Sequence, residues 1–175
     1  FAGPDGEEAD PFFHAIGGLQ SYLPTGMALM APFVNSYRRL SLTYDAPRNV
    51  AWGYDNRTVG LRVPMGTSTS KRIENRIPGA DANPYLAIAV TLACVWLGLS
   101  EKLQASAPVK KEQDKLFTLP RNLDAALDKL EKATPLKEVL GERFVDLFGE
   151  VKRAEAEAFL DVISPWEREY LLLNV

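Results

Sequence analysis

The chain is 175 residues long, 46% hydrophobic and 25% charged, with a net charge of -3. That is the composition of one ordinary globular domain with its own core, and it excludes overall disorder and a general, strongly basic nucleic-acid binder. One cysteine, Cys94, excludes an intramolecular disulfide, and with His14 as the sole histidine it also excludes the usual Cys/His zinc arrangements. A reducing cytoplasm is the expected location. Nothing reads as a signal peptide, and the most apolar run, 84–99, is short for crossing a bilayer, so a buried helix and no membrane partner are expected. The chain opens on Phe1 rather than Met, which suggests a piece of a longer protein.

Residues 3–11 are rich in glycine, proline and acid and favour turns. Asp10 is a candidate N-cap with Pro11 at the first helical position, and Phe13, Ile16, Leu19 or Gln20 and Leu23 keep helical spacing as far as Pro24. His14 lies there without a second histidine or a nearby nucleophile, so it is expected to be solvated or satisfied in the core. A second helical piece, 25–33, carries Met27 and Met30 as core filler. The run 35–47 reads as an exposed loop in which Arg39 and Asp45 are candidates for ligand contact. Val50 and Trp52 alternate in a strand over 49–54, expected to join the next strand as an antiparallel hairpin.

The densest chemistry is NRTVGLRVPMGTSTSKRIENR, 56–76. A strand over 58–63 puts Val59, Leu61 and Val63 on one face and Gly60 and Arg62 on the other. A strand over 71–77 puts Arg72, Glu74 and Arg76 on one face. Charges in such a place cost desolvation energy unless they pair with each other or meet a charged ligand. Two readings follow, and the pattern does not choose between them: an internal ion-pair ladder with Glu74 between arginines, or an anion site in which arginine forks hold phosphate or carboxylate and Glu74 holds a hard cation.

After a turn over 78–82, Asn83 and Pro84 form an N-cap and N1 pair that starts a helix running to about Leu103. It is apolar nearly all round, which predicts burial on several sides with Cys94 and Trp96 in the core. Residues 106–120, with KKEQDK, read as a solvated connection. Asn122 caps an amphipathic helix carrying Leu123, Leu127 and Leu130. Over 142–163 the set Phe144, Leu147, Phe148, Val151, Phe159 and Val162 predicts a helix packed through one face. Ser164, Pro165 and Glu167 spell a capping box for a final helix through Leu173. There are no repeats, no glycine-rich phosphate loop and no GxSxG elbow, so the arginine strands stand alone as dense chemistry.

In order and spacing, NSYRRL, DAP, NRTVGLRVP, KRIENRIPGADANPYLA and the closing SPWEREYLLLNV resemble the C-terminal half of the glutamine synthetase catalytic domain, most closely its γ-glutamylpolyamine (γ-glutamylputrescine) synthetase branch. The resemblance implies an α+β fold, with antiparallel strands carrying the site and helices backing them. It makes 1–175 the C-terminal portion of that catalytic domain, its first part and an N-terminal β-grasp domain lying upstream. It also implies ligation of the glutamate γ-carboxylate to an amine through γ-glutamyl phosphate, using ATP and Mg2+ or Mn2+.

By position, Glu74 resembles the family's ligand to the second metal. Arg57 and Arg62 resemble the arginines on the transferring phosphate, Arg39 and Arg76 the pair at the glutamate carboxylate, and Arg72 an arginine at the nucleotide. Asp45 falls where the family carries the acid of a mobile flap that deprotonates bound ammonium. It is one methylene shorter than the usual glutamate, which is compatible with a bulkier amine such as putrescine. Phe117 stands where the family's adenylylated tyrosine lies, so that modification has no oxygen here. The family's sites form between subunits of ring-built, dodecamer-like homo-oligomers, and the 175 residues alone are expected to be inactive. An ammonia-using glutamine synthetase and an inactive structural or sensing paralogue are the alternatives.

Overall fold

The computed structural model describes residues 1–42, 46–110, 117–172 and 174; for Ser41 and Leu42 only the backbone is considered. Helix α1 (Asp10–Tyr22) starts one residue earlier than expected. Ala9 is its N-cap and makes no side-chain bond, while Asp10 sits in the first turn, where its charge still complements the helix dipole. Helix α4 (Pro84–Glu101) begins as expected, with the Asn83 side chain accepting from the Tyr85 amide at 2.9 Å. By length and composition alone α4 could cross a membrane; here it is partly buried and packs against α1. The two approach through glycines: a Cβ added at Gly18 would stand 2.2 Å from the Cys94 carbonyl oxygen, and one at Gly98 would stand 2.3 Å from that of His14. Backbone meets backbone, a separation no larger residue permits.

Between these helices run α2 (Met27–Met30), a 3-10 turn (Val34–Arg38) and α3 (Arg39–Leu42). Met27 and Met30 are fully buried, as expected of core filler. The NSYRRL run is helical rather than an exposed loop, because Ser36, Tyr37 and Leu40 point into the core. Then come three short strands, β1 (Trp52–Tyr54), β2 (Leu61–Val63) and β3 (Glu74–Asn75), in sheet order β1-β2-β3.

The expected hairpin between the first two strands is not formed. β1 and β2 are parallel, with Trp52 opposite Leu61 and Tyr54 opposite Val63, while β2 and β3 are antiparallel. The fold is thus mostly helical with a small mixed sheet, not an antiparallel one. The six-residue connection 55–60 returns to the start of β1 before β2 begins. Asn56 holds the turn by accepting from the Thr58 amide at 2.9 Å, and a Cβ on Gly60 would sit 2.4 Å from the Asn49 carbonyl oxygen.

Behind the sheet, Gln20 is buried yet fully engaged. It donates to the Val50 carbonyl at 3.1 Å and to Ser106 Oγ at 2.9 Å, and it accepts from the Ser106 amide at 2.9 Å. Trp52 Nε1 donates to the Ser106 carbonyl at 2.7 Å, and the Val109 amide donates to Trp52. Residues 49 and 118 add an isolated antiparallel bridge. The outer edge of β1 is therefore closed by residues far along the chain, and Phe12 and Phe13 pack edge-on to Trp52.

Helices α5 (Leu123–Glu131), α6 (Thr134–Leu140), α7 (Glu142–Leu160) and α8 (Pro165–Leu171) follow. Asn122 caps α5 through the Ala125 amide at 2.8 Å, and Leu123, Leu127 and Leu130 are buried. The Ser164 and Glu167 capping box of α8 is formed at both of its bonds. Two expectations of burial fail. Trp96 is 62% exposed, beside Ile88 at 59% and Leu92 at 61%, so α4 buries one face and shows an apolar stripe on the other. On α7 the buried residues are Val145 and Ala156, while Leu147, Val151 and Phe159 face outward. An apolar periodicity marks a face that needs cover, not one that this chain covers.

Candidate functional site

The register of β2 against β3 sets Arg62 directly across from Glu74. Val59, Leu61 and Val63 are buried, as the alternation requires, and Arg62 leaves the sheet on the other face. Its Nη1 donates to Glu74 Oε2 at 2.8 Å, and its Nη2 is in close contact with Asp55 Oδ1. Glu74 Oε1 takes a longer bond, 3.3 Å, from Arg72 Nη2. A ladder Asp55, Arg62, Glu74, Arg72 therefore runs across the sheet, with Glu74 between Arg62 and Arg72 rather than between Arg72 and Arg76. The hydrogen bond from Arg62 holds the Glu74 carboxyl below the usual carboxylate range, against the opposing effect of its partial desolvation.

Arg76 belongs to the same region but turns away from Glu74. Its amide donates to the Gly60 carbonyl at 2.9 Å, and its Nη1 reaches the carbonyls of Arg57, in close contact, and Val59, at 3.2 Å. It thereby pins the loop that presents the exposed Arg57. Arg39 donates to the Ile77 carbonyl, and burial lowers its pKa, with Arg76 adding to that effect and Asp81 opposing it. Arg39 and Arg76 are thus electrostatic neighbours. Ser36 Oγ donates to Asp81, which anchors that carboxylate beside Arg39. Asp45 lies outside the described residues.

Among the described residues named above, five arginines (39, 57, 62, 72 and 76) stand against three carboxylates (55, 74 and 81), an excess of positive charge suited to phosphate or carboxylate ligands. For a cation, no group of three or more His, Cys, Asp or Glu able to hold a metal occurs among the described residues. Glu74 fits the part of one hard oxygen ligand, and the remaining ligands of a metal site are not supplied by this set. His14 has no part in this region; its Nδ1 lies 3.0 Å from the Leu103 carbonyl oxygen, a satisfied position at the α1–α4 contact. Two residues escaped the sequence reading, Asp55 and Asp81. Asp55 had a visible signal in the Asp-Asn-Arg run at the end of a strand, whereas Asp81 read only as part of a turn.

Residues 1–171 match the catalytic domain of glutamine synthetase. The glutamine synthetase of Methanococcus maripaludis is 38% identical over 167 residues, covering 89% of this chain and 37% of that protein. The gamma-glutamylputrescine synthetase PuuA of Escherichia coli is 37% identical over 173 residues, covering 97% of this chain and 36% of that protein. Among solved structures, GmaS without ligand superposes with a TM-score of 0.85 at 28% identity, over 98% of this chain and 41% of the other. GmaS in complex with ADP superposes with a TM-score of 0.84 at 27% identity, over 98% and 42%. The chain accordingly spans well under half the length of these proteins. On the match of nearly its whole length to one domain, the chain belongs to the glutamine synthetase family, as a portion of its catalytic domain.

Proposed function

We propose that the chain forms one wall of the active site of an ATP-dependent ligase that joins the γ-carboxylate of glutamate to an amine, with a polyamine such as putrescine as that amine. The observation that carries this reading is the β2–β3 register, which sets Arg62 opposite Glu74 with Arg39, Arg57, Arg72 and Arg76 around them, in a chain of this family. In the first step a γ-carboxylate oxygen of glutamate attacks the γ-phosphorus of ATP, the bond to the β,γ-bridging oxygen breaks, and ADP leaves. In the second, the amine nitrogen attacks the acyl carbon, the bond to phosphate oxygen breaks, inorganic phosphate leaves, and the surplus proton passes to a base, the role we assign to Asp45.

Arg57 and Arg62 hold the transferring phosphoryl group, where preorganised positive charge lowers the barrier. Arg39 and Arg76 orient the glutamate carboxylate, and Arg72 lies toward the nucleotide. Bound Mg2+ or Mn2+ would neutralise phosphate charge, with Glu74 supplying one oxygen ligand. A site of this kind needs further ligands from outside these residues, and we place it in a ring-built, dodecamer-like homo-oligomer in the cytoplasm, a compartment suited to the buried free thiol of Cys94.

The shortened acid at Asp45 and the SPWERE ending favour a polyamine. The near-equal identities to a glutamine synthetase and to PuuA support ammonia as the second reading. The test is a product assay on the full-length protein offered ammonia, putrescine and spermidine separately. A strong preference for ammonia overturns the polyamine assignment. Absence of ATP-dependent ligation with every amine overturns the ligase and leaves an inactive structural or sensing subunit. The isolated 175-residue chain is expected to show no turnover, and turnover by it would refute the one-wall reading.

A further inference from the structure

Arg62 is gripped from two sides. Glu74 takes Nη1 from the neighbouring strand, and Asp55 takes Nη2 from the end of β1. The Arg62 side chain is 18% exposed and that of Asp55 52%, so Asp55 reaches in from the rim to a largely covered guanidinium. Asp55 is held there unusually firmly. Its backbone occupies the left-handed region at φ 48°, uncommon for a residue with a Cβ, and its amide donates to the Val63 carbonyl at 2.9 Å. Backbone and side chain of one residue thus fasten to consecutive residues of β2. A single carboxylate would balance the charge of Arg62; two are present, and they differ in what else they are asked to do.

Under the function proposed above, Glu74 would supply an oxygen ligand to a cation and in doing so would release Arg62 Nη1. We infer that Asp55 is the positioning residue that keeps the Arg62 guanidinium in place at that moment, leaving Nη1 for an anionic phosphate oxygen. This rests on Arg62 being a phosphate contact. Asp55 touches no reacting atom, and it acts by restricting where the guanidinium can go. Misplacing such a donor by about an ångström costs up to about a hundredfold in rate.

The experiment is Asp55→Asn in the full-length protein, compared with Arg62→Lys and the double variant. Asparagine tolerates the left-handed conformation and keeps an acceptor oxygen, so the substitution removes charge while sparing the turn. Turnover with ATP is expected to fall on the order of tenfold, with KM for glutamate and the melting temperature unchanged. Calorimetric titration with a non-hydrolysable ATP analogue and Mg2+ is expected to show affinity weakened on the order of tenfold by the same loss of donor placement. The double variant should be no worse than Arg62→Lys alone, since the two residues act as one unit.

Additive losses in the double variant, or unchanged turnover and unchanged affinity for the ATP analogue in Asp55→Asn, overturn the proposal. A fall in melting temperature with KM for glutamate rising in parallel also overturns it, because that marks a purely structural residue. If Arg62→Lys itself leaves turnover and affinity for the ATP analogue intact, the phosphate role of Arg62 fails, and the inference fails with it. If Arg62→Lys is impaired and Asp55→Asn is not, Asp55 alone is refuted.

Discussion

Replacing Gly18 by alanine tests whether the α1–α4 contact is as tight as its geometry states. The added Cβ would stand 2.2 Å from the Cys94 carbonyl oxygen and 2.6 Å from Gly98 Cα, against a floor near 3.0 Å below which real Cβ contacts essentially never fall. The helices must therefore part by about 0.8 Å, the difference between 2.2 and 3.0 Å. A gap of ~0.5–1 Å forfeits a quarter to a half of the contact energy of the atoms on either side. Overpacking of this kind costs about 3 kcal/mol at the upper end of its usual range. Alanine recovers ~1 kcal/mol of helix propensity, for a net loss of about 2 kcal/mol. In a chain of this size that lowers Tm by roughly 4–8 °C, read by calorimetry. Gly149, in α7, has no atom within 4 Å of its added Cβ, so Gly149→Ala shows the propensity gain alone and raises Tm by roughly 2–4 °C. A Gly18→Ala variant as stable as the parent, or shifted in the same direction as Gly149→Ala, would refute the close-approach argument.

Gln20→Leu strands the Val50 carbonyl behind the sheet and takes one partner from the Ser106 amide and hydroxyl, the hydroxyl keeping its bond to the Ala107 carbonyl. A loss of ~1–3 kcal/mol is expected in urea unfolding, the cost of leaving the buried carbonyl unpaired; a loss well below ~1 kcal/mol would mean that water replaces the glutamine. The depressed pKa of Glu74 means that its pairing with Arg62 stabilises the fold above the unfolded carboxyl value, ~4.3, and that this contribution disappears as pH falls through the lower folded value. Urea midpoints measured down to about pH 3 should therefore fall less steeply for Glu74→Gln than for the parent, and equal slopes would show that the pair carries no pH-dependent stability. In the full-length protein, Glu74→Ala should weaken metal-dependent nucleotide binding, while Arg57→Ala should mainly lower kcat; unchanged turnover in both would reduce the charged face to a structural ladder.

Local rules were legible wherever one stretch of chain decides the outcome. Asn83, Asn122 and Ser164 cap the helices they were expected to cap, because an N-cap bond spans only two or three residues. The alternation of Val59, Leu61 and Val63 likewise placed Arg62 on the open face. What could not be read depends on partners far along the chain. The parallel pairing of β1 with β2 departs from the hairpin that a short connection favours, and nothing within 49–63 announces that the edge of β1 will be closed by residues 106, 109, 117 and 118. The same holds for the ladder, where Glu74 pairs with Arg62 across strands, while Arg76, its neighbour by alternation, directs Nη1 to loop carbonyls. Of the candidate site, the residue types and the shared face of Arg72 and Glu74 were visible, and the contact of Asp55 with Arg62 was not.

The closure of β1 by Gln20, Ser106 and Val109 has a consequence for the order in which the chain acquires its structure. Helices α1 and α4 can form from contacts within each helix, but the backing of the arginine face requires residue 20 to find residue 106 and residue 49 to find residue 118. Contacts of such long separation close slowly, because the entropy of the intervening loop is spent before the contact rewards it. On the ribosome, Arg57, Arg62 and Glu74 therefore emerge well before the segment that holds their sheet in place, and the charged face becomes a defined surface only late in synthesis.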